Sequence, residues 1–184
     1  AGNEGESAQV VVVSLAEESI SGCRASMSNL QGPGGALIGP DAIDLRVVGY
    51  VKTAQPKYAT SFVGEWPDPL LPNRPFTLPA KELQPLWLTV RVPVGATAGD
   101  YDGKLRVEVA GRTLEMAVKL HVFGFSLPVR QHLATPFGCD PGDLSRWYTG
   151  SSDYMTHLPP DVFTRWNRFL LDYRVTPTRV GQSY

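Results

Sequence analysis

Through the first 125 residues apolar side chains recur at every second position, and a helical spacing of apolar residues is found only after residue 130. This change of period limits the fold more than any other feature of the sequence. "GKLRVEVAGRTLEMAVKLHVFGF" alternates on both arms about Ala110, Gly111 and Arg112, which predicts a hairpin. "LWLTVRVP" sets Trp87, Thr89 and Arg91 opposite Leu88, Val90 and Val92, and "IDLRVVGYVKT" places Leu45, Val47, Gly49 and Val51 on one face of a strand with one partly wet side. In "ISGCRASMS" the inward face is Cys23, Ala25 and Met27. "SAQVVVVS" is a continuous β-branched run, expected to be covered on both faces. The chain holds 18 glycines and 16 prolines, a composition for many short strands joined by tight turns. About seven strands without a helix predict a mainly β fold over residues 1–125, an antiparallel β-sandwich of immunoglobulin-like appearance. The chain is expected to start inside that domain, one edge strand short.

The proline-rich stretch from Ala54 to Gln84 is expected to exclude most regular pairing, because Pro56, Pro67, Pro69, Pro72, Pro75 and Pro79 lack ladder donors. "FSLP" opens a hinge over residues 126–131. Beyond it, "HLATPFGCD" predicts a short strand and "PGDLSRWYTGSSDYMTHLPP" a long polar and aromatic loop. Val162, Phe163, Trp166, Phe169, Leu170 and Tyr173 then fall on one stripe of a helix over Pro160–Tyr173, with Pro160 and Asp161 suited to its first turn. "RVTPTRV" predicts a second strand. Residues 132–184 thus read as an incomplete βαβ unit, resembling the start of a TIM barrel, with a parallel strand pair.

Seventeen Lys and Arg against eighteen Asp and Glu give a formal net charge of -1 without a basic block, so a nucleic-acid partner has no electrostatic footprint. The longest apolar run, Val10 to Val13, is far short of the roughly 18 residues of a membrane span. Cys23 and Cys139 lack metal-ligand spacing, and a buried unpaired thiol at each is the simpler expectation; a disulfide between them would need an oxidising compartment. "GPGGALIGP" has no Gly-Lys-Ser/Thr after it, and "DYDGK" has Gly111 where a calcium loop needs its Glu, so a plain loop and a hairpin entry are expected. His121, His132 and His157 share no ligand or triad spacing, and no GxSxG elbow occurs. Neither a metal nor a cofactor is expected. Asp140 and Asp143 stand in the loop after the first strand of the βαβ unit, the end where parallel α/β folds place their chemistry, but solvated loop acids are the plainer account. Trp147, Tyr148 and Tyr154 would stack on sugar rings in a binding loop, with core covering the more ordinary role.

"NEGESAQVVV", "RVVGYVKT", "GEWPDPLLP", "QPLWLTVRVPVGATAGDYDGKLRVEV" and "HVFGFSLP" together resemble the amino-terminal β-sandwich of bacterial multidomain glycoside hydrolases related to glycoside hydrolase family 123. The resemblance covers nearly the whole chain. It implies that "HLATPFGCD", the helix at Pro160 and "YRVTP" open a (β/α)8 barrel, and that the protein is secreted or periplasmic. It also implies an adjacent Asp-Glu pair that assists a substrate N-acetyl group in attacking the anomeric carbon, on a later barrel strand. No Asp-Glu pair stands after the hinge here, so the catalytic residues are expected beyond the end of this chain.

The leading expectation is therefore a non-catalytic amino-terminal portion of a glycoside hydrolase that supports the barrel and lines its carbohydrate cleft. Asp140, Arg179, Gln182 and Tyr184, near the strand ends, are the candidate substrate-binding residues. The remainder of a barrel, or another subunit, would cover the stripe of helix 160–173. The alternative is a carbohydrate-binding or self-assembling β-sandwich module without hydrolase activity. A third arrangement has the βαβ segment packing back on its own sandwich.

Overall fold

The computed structural model describes residues 1–130, 132–138 and 140–178, and the chain divides into two compact units between Leu127 and Pro128. The first unit is built entirely on period-two patterning. Its strands are β1 (Gly5–Val13), β2 (Ile20–Met27), β3 (Leu30–Gln31), β4 (Leu37–Ile38), β5 (Ile43–Lys52), β6 (Glu65–Pro72), β7 (Phe76–Leu78), β8 (Leu83–Arg91), β9 (Gly99–Val109) and β10 (Arg112–Val122). One antiparallel sheet runs β1-β8-β5-β6; the other runs β4-β3-β9-β2-β7, with β10 paired to β9. Val12, Leu45, Val47, Leu86, Leu88 and Val90 of the first sheet join Cys23, Ala25, Leu30, Leu78, Leu105 and Val107 of the second in one apolar cluster. A single core shared by two sheets is what alternating strands require, since each sheet has one apolar face to remove from water.

Several expectations hold at residue level. Cys23 and Ala25 are buried, and Met27 packs partly against the core. The β9–β10 hairpin turns at Ala110 and Gly111, both at positive φ, as a two-residue turn compatible with strand twist demands. The segment leading to Leu127 is tied to the amino terminus: Gly2 N–H donates to Phe125 O at 2.9 Å and Leu127 N–H to Gly2 O at 2.8 Å.

Two expectations for this unit are corrected. The valine run is not covered on both faces. β1 is an edge strand paired only with β8, and Val11 and Val13 are exposed. A run of valines reports strand conformation, and by itself it does not report a second covered face. The proline-rich stretch does form regular pairing. β6 pairs with β5 from Lys52↔Glu65 to Arg46↔Pro72, with a register shift between Val48 and Tyr50. It lies at the sheet edge, where a missing N–H costs least, so its prolines are compatible with the strand and block further pairing beyond it.

The start of β9 shows why "GDYDG" is built as it is. Tyr101 is 1% exposed, and its hydroxyl donates to Thr97 O at 2.9 Å, four residues upstream. Gly99 is at φ 130° with Pro33 against it, and a Cβ on Gly103 would lie 2.7 Å from Leu30 Cδ2. The motif thus folds a buried ring back on its own approach chain, with glycines where the backbone leaves no space for a side chain.

The second unit contains β11 (Pro136–Gly138), α1 (Pro141–Thr149), α2 (Pro160–Asp172) and β12 (Thr176–Thr178). β11 and β12 pair in parallel, Pro136↔Thr176 to Gly138↔Thr178. The expected parallel pair is present, as is the expected helix, with Tyr173 as its C-cap rather than its last turn. The region after Asp140 is corrected: it is not all loop but contains α1. That helix has every local signal a short helix uses: a capping Asp140, Pro141 at its first turn, and Gly150 in the left-handed conformation at its end.

Candidate functional site

Two places in the second unit have the elements of a site, the carboxyl end of β11 and the groove between α1 and α2. At the strand end, the carboxylate of Asp140 is turned onto the backbone. Oδ1 accepts from Gly142 N–H at 2.6 Å and from Asp143 N–H at 3.1 Å, satisfying two of the amides a helix leaves unpaired. Asp143 Oδ1 accepts from Arg146 Nη1 at 2.9 Å. The two acids considered as a pair are therefore both engaged in the first turn of α1. Of the other sequence-derived candidates, Arg179, Gln182 and Tyr184 lie outside the described residues, as does Cys139.

The groove is apolar. A cavity of about 220 Å³ is lined by Tyr148 of α1 and by Val162, Arg165, Trp166 and Phe169 of α2. Val162 forms its buried floor, and Phe169 is half exposed at its rim. The rings of Trp166 and Phe169 meet edge to face at 5.9 Å, and Phe169 and Tyr173 lie 4.8 Å apart, so the α2 stripe is a continuous aromatic ridge. Arg165 is held toward Asp161 at 3.2 Å, one turn back on the same helix. The stripe was legible from its helical spacing. Tyr148 joins it only through α1, whose sequence carries no strong helical apolar stripe and predicts a loop. Of the three aromatics of that segment, Trp147 is 84% exposed and Tyr148 half exposed, whereas Tyr154 is partly buried, so core covering does not describe Trp147 or Tyr148 in this chain.

The loop between the helices holds a compact polar cluster. Thr156 Oγ1 donates to Asp153 Oδ2 at 2.5 Å and lies 2.7 Å from His157 Nδ1. This hydrogen bond is the main cause that holds the Asp153 carboxyl below its usual range. A hydroxyl, an imidazole and a carboxylate resemble a nucleophile triad in kind only. Here the acid holds the hydroxyl directly and accepts from Met155 N–H as well, the pattern of a turn cap. His121 of the first unit pairs with Asp100 at 2.6 Å, both exposed. Among the described residues no group of three His, Cys, Asp or Glu could hold a metal ion, and no helix is long and apolar enough to cross a membrane.

Against known proteins, residues 2–109 match the glycoside hydrolase 123 N-terminal domain. No curated protein sequence gives a significant match. Among solved structures, a family 123 glycoside hydrolase from Clostridium perfringens, described in connection with glycolipid glycan hydrolysis, is similar in fold. The TM-score is 0.76 at 15% identity, over 94% of this chain. This chain spans 30% of that protein's length. The similarity in fold continues past Leu127 into the parallel pair and its helices, since the covered share exceeds the first unit. With more than half of its residues matched to the domain, the chain belongs to the glycoside hydrolase 123 N-terminal domain family.

Proposed function

We propose that this chain is the non-catalytic amino-terminal portion of a carbohydrate-active glycoside hydrolase. In this reading residues 1–125 are an immunoglobulin-like β-sandwich, 126–131 a hinge, and 132–184 the opening of a (β/α)8 barrel that the chain does not complete. The observation that carries the reading is the parallel β11–β12 pair, connected through helices and lying after β10 on the carboxyl side of the family-matched residues 2–109. Parallel strands need crossover helices and a sheet covered on both faces, which a two-strand pair does not supply for itself. The buried Tyr101 hydrogen-bonded to the chain four residues upstream supports the sandwich assignment, since the same device recurs at corners of immunoglobulin-like folds.

The groove supports the same reading over a lectin-like one. Among its lining residues the polar groups are Arg165, the Tyr148 hydroxyl and the Trp166 indole N–H, and a sugar presents several hydroxyls that each need a partner. An apolar side chain from an adjoining helix fits this lining. Phe169 and Tyr173 are half exposed, so covering them would contribute, for each, about half of the 1.5–3 kcal/mol that full burial of such a side chain gives. The role of the chain is then to support the barrel and to contribute Asp140, Arg179, Gln182 and Tyr184, which follow the two strands in sequence, to one wall of a carbohydrate cleft. The substrate class is that of the similar Clostridium enzyme, glycolipid glycans. The test is hydrolysis of aryl N-acetylgalactosaminides by the 184-residue chain. No release above buffer is expected, and turnover that is lost on Asp140→Asn would overturn the reading.

A further inference from the structure

The outer strands of the two sheets are not alike. β6 carries Pro67, Pro69 and Pro72 and a register shift, devices that keep another strand away. β10 carries none of these: its eleven residues pair with β9 in unbroken register from Arg112↔Val109 to Val122↔Gly99, and among the described residues its other side is unpaired. The two-residue turn makes Val109 and Arg112 a hydrogen-bonded pair, so the backbone groups of every second residue from Arg112 are directed at β9. Those of Thr113, Glu115, Ala117, Lys119 and His121 are directed into the open edge.

We propose that β10 is a self-association edge, pairing antiparallel with β10 of a second copy of this chain about a two-fold axis at Ala117. In that register the outward-directed backbone groups of both copies meet one another. Glu115 lies opposite Lys119 of the second copy, and Thr113 opposite His121. On the core-side face Leu114 meets Leu120 and Met116 meets Val118, which covers two apolar side chains that are 56% and 43% exposed in the single chain. The outer face becomes a row of alternating charge across four strands: Arg106, Glu115, then Lys119 and Asp102 of the second copy, because Arg106 already lies opposite Glu115 and Asp102 opposite Lys119. Lys119 is exposed and has no ion pair among the described residues, whereas Glu115 is bridged to both Lys104 and Arg106. Sliding one strand by two residues moves Glu115 from Lys119 to Ala117 or His121, and sliding it by four sets Glu115 against Glu115 or Lys119 against Lys119, so only the Ala117-centred register pairs Glu115 with Lys119. β1, the other long edge, contains Glu6 and no cation, and offers no such complementarity. The inference stands independently of the hydrolase reading.

The test is the mass of the full chain in solution. The unmodified chain should sediment at twice the 20.1 kDa of one chain at micromolar concentrations. Lys119→Glu and Glu115→Lys should each give the single-chain mass, and an equimolar mixture of the two should restore the doubled mass. Ala117→Pro, which removes an N–H directed away from β9, should also give the single-chain mass with an unchanged circular dichroism spectrum. A single-chain mass for the unmodified protein, a doubled mass that survives Lys119→Glu or Ala117→Pro, or a mixture that stays at the single-chain mass would overturn the proposal.

Discussion

Tyr101 shows how much of this fold rests on single side chains. Its ring is enclosed in the core while its hydroxyl returns to Thr97 O, so one residue both fills the interior and fixes the angle at which β9 enters the sheet. Tyr101→Phe keeps the ring and strands the carbonyl, and should cost about 1 kcal/mol. The thermal midpoint should fall by roughly 2–4 °C, read by calorimetry, and an unchanged midpoint would remove the hydroxyl from the account. Glu115 makes the second residue-scale prediction. Hydrogen bonds from Lys104 and then Arg106 lower its pKa from 4.5 to about 2. A depressed acid contributes stability above its unfolded value, and the contribution is lost as pH falls through the folded one. Any stability tied to this group is therefore present above about pH 4.5 and disappears toward pH 2. Its carboxyl carbon shift should titrate near 2 in the folded chain, and Lys104→Met should raise that midpoint. A midpoint at the ordinary glutamate value would contradict the bridge geometry.

At the scale of elements, α1 depends on Asp140. Asp140→Ala removes the acceptor for two amides and should destabilise the helix by about 1 kcal/mol, whereas Asp140→Asn should retain most of the cap. Faster hydrogen exchange at Gly142 and Asp143 in the alanine variant alone is the expected signature; equal exchange in both would show that the carboxylate serves another purpose. α1 is also where legibility in the sequence is most instructive. Its capping Asp, first-turn Pro and terminal Gly were all readable, yet polar side chains give a nine-residue helix no strong apolar stripe, and the region read as loop. α2 was legible because Val162, Phe163, Trp166 and Phe169 repeat at helical spacing. The β9–β10 hairpin was legible because alternation and turn residues agree. β6 was hidden by its prolines, which restrict where a strand can lie in a sheet and do not forbid it. The valines of β1 gave its conformation but not its edge position, because coverage depends on which strands become neighbours. For the candidate site, the aromatic stripe could be read, whereas its meeting with Tyr148 required a helix that pattern alone did not reveal.

Across the whole molecule, the parts differ in how far each satisfies its own surface. The first unit closes two sheets over one core and matches the glycoside hydrolase 123 N-terminal domain from residue 2 to residue 109. The second has a parallel pair of three-residue strands and an aromatic ridge along α2, with Phe169 and Tyr173 still half exposed. Asp140 caps α1 and Asp143 is paired with Arg146, and the chain spans 30% of the similar Clostridium enzyme. These are the observations on which the proposed supporting role rests, a role in which the chemistry is supplied by residues outside this chain. The most direct measurement is the rate of N-acetylgalactosamine release from an aryl glycoside by this chain, beside the same chain expressed with the reading frame downstream of Tyr184. Release by the extended protein with none from the 184-residue chain is the predicted result, and equal rates from the two would contradict it.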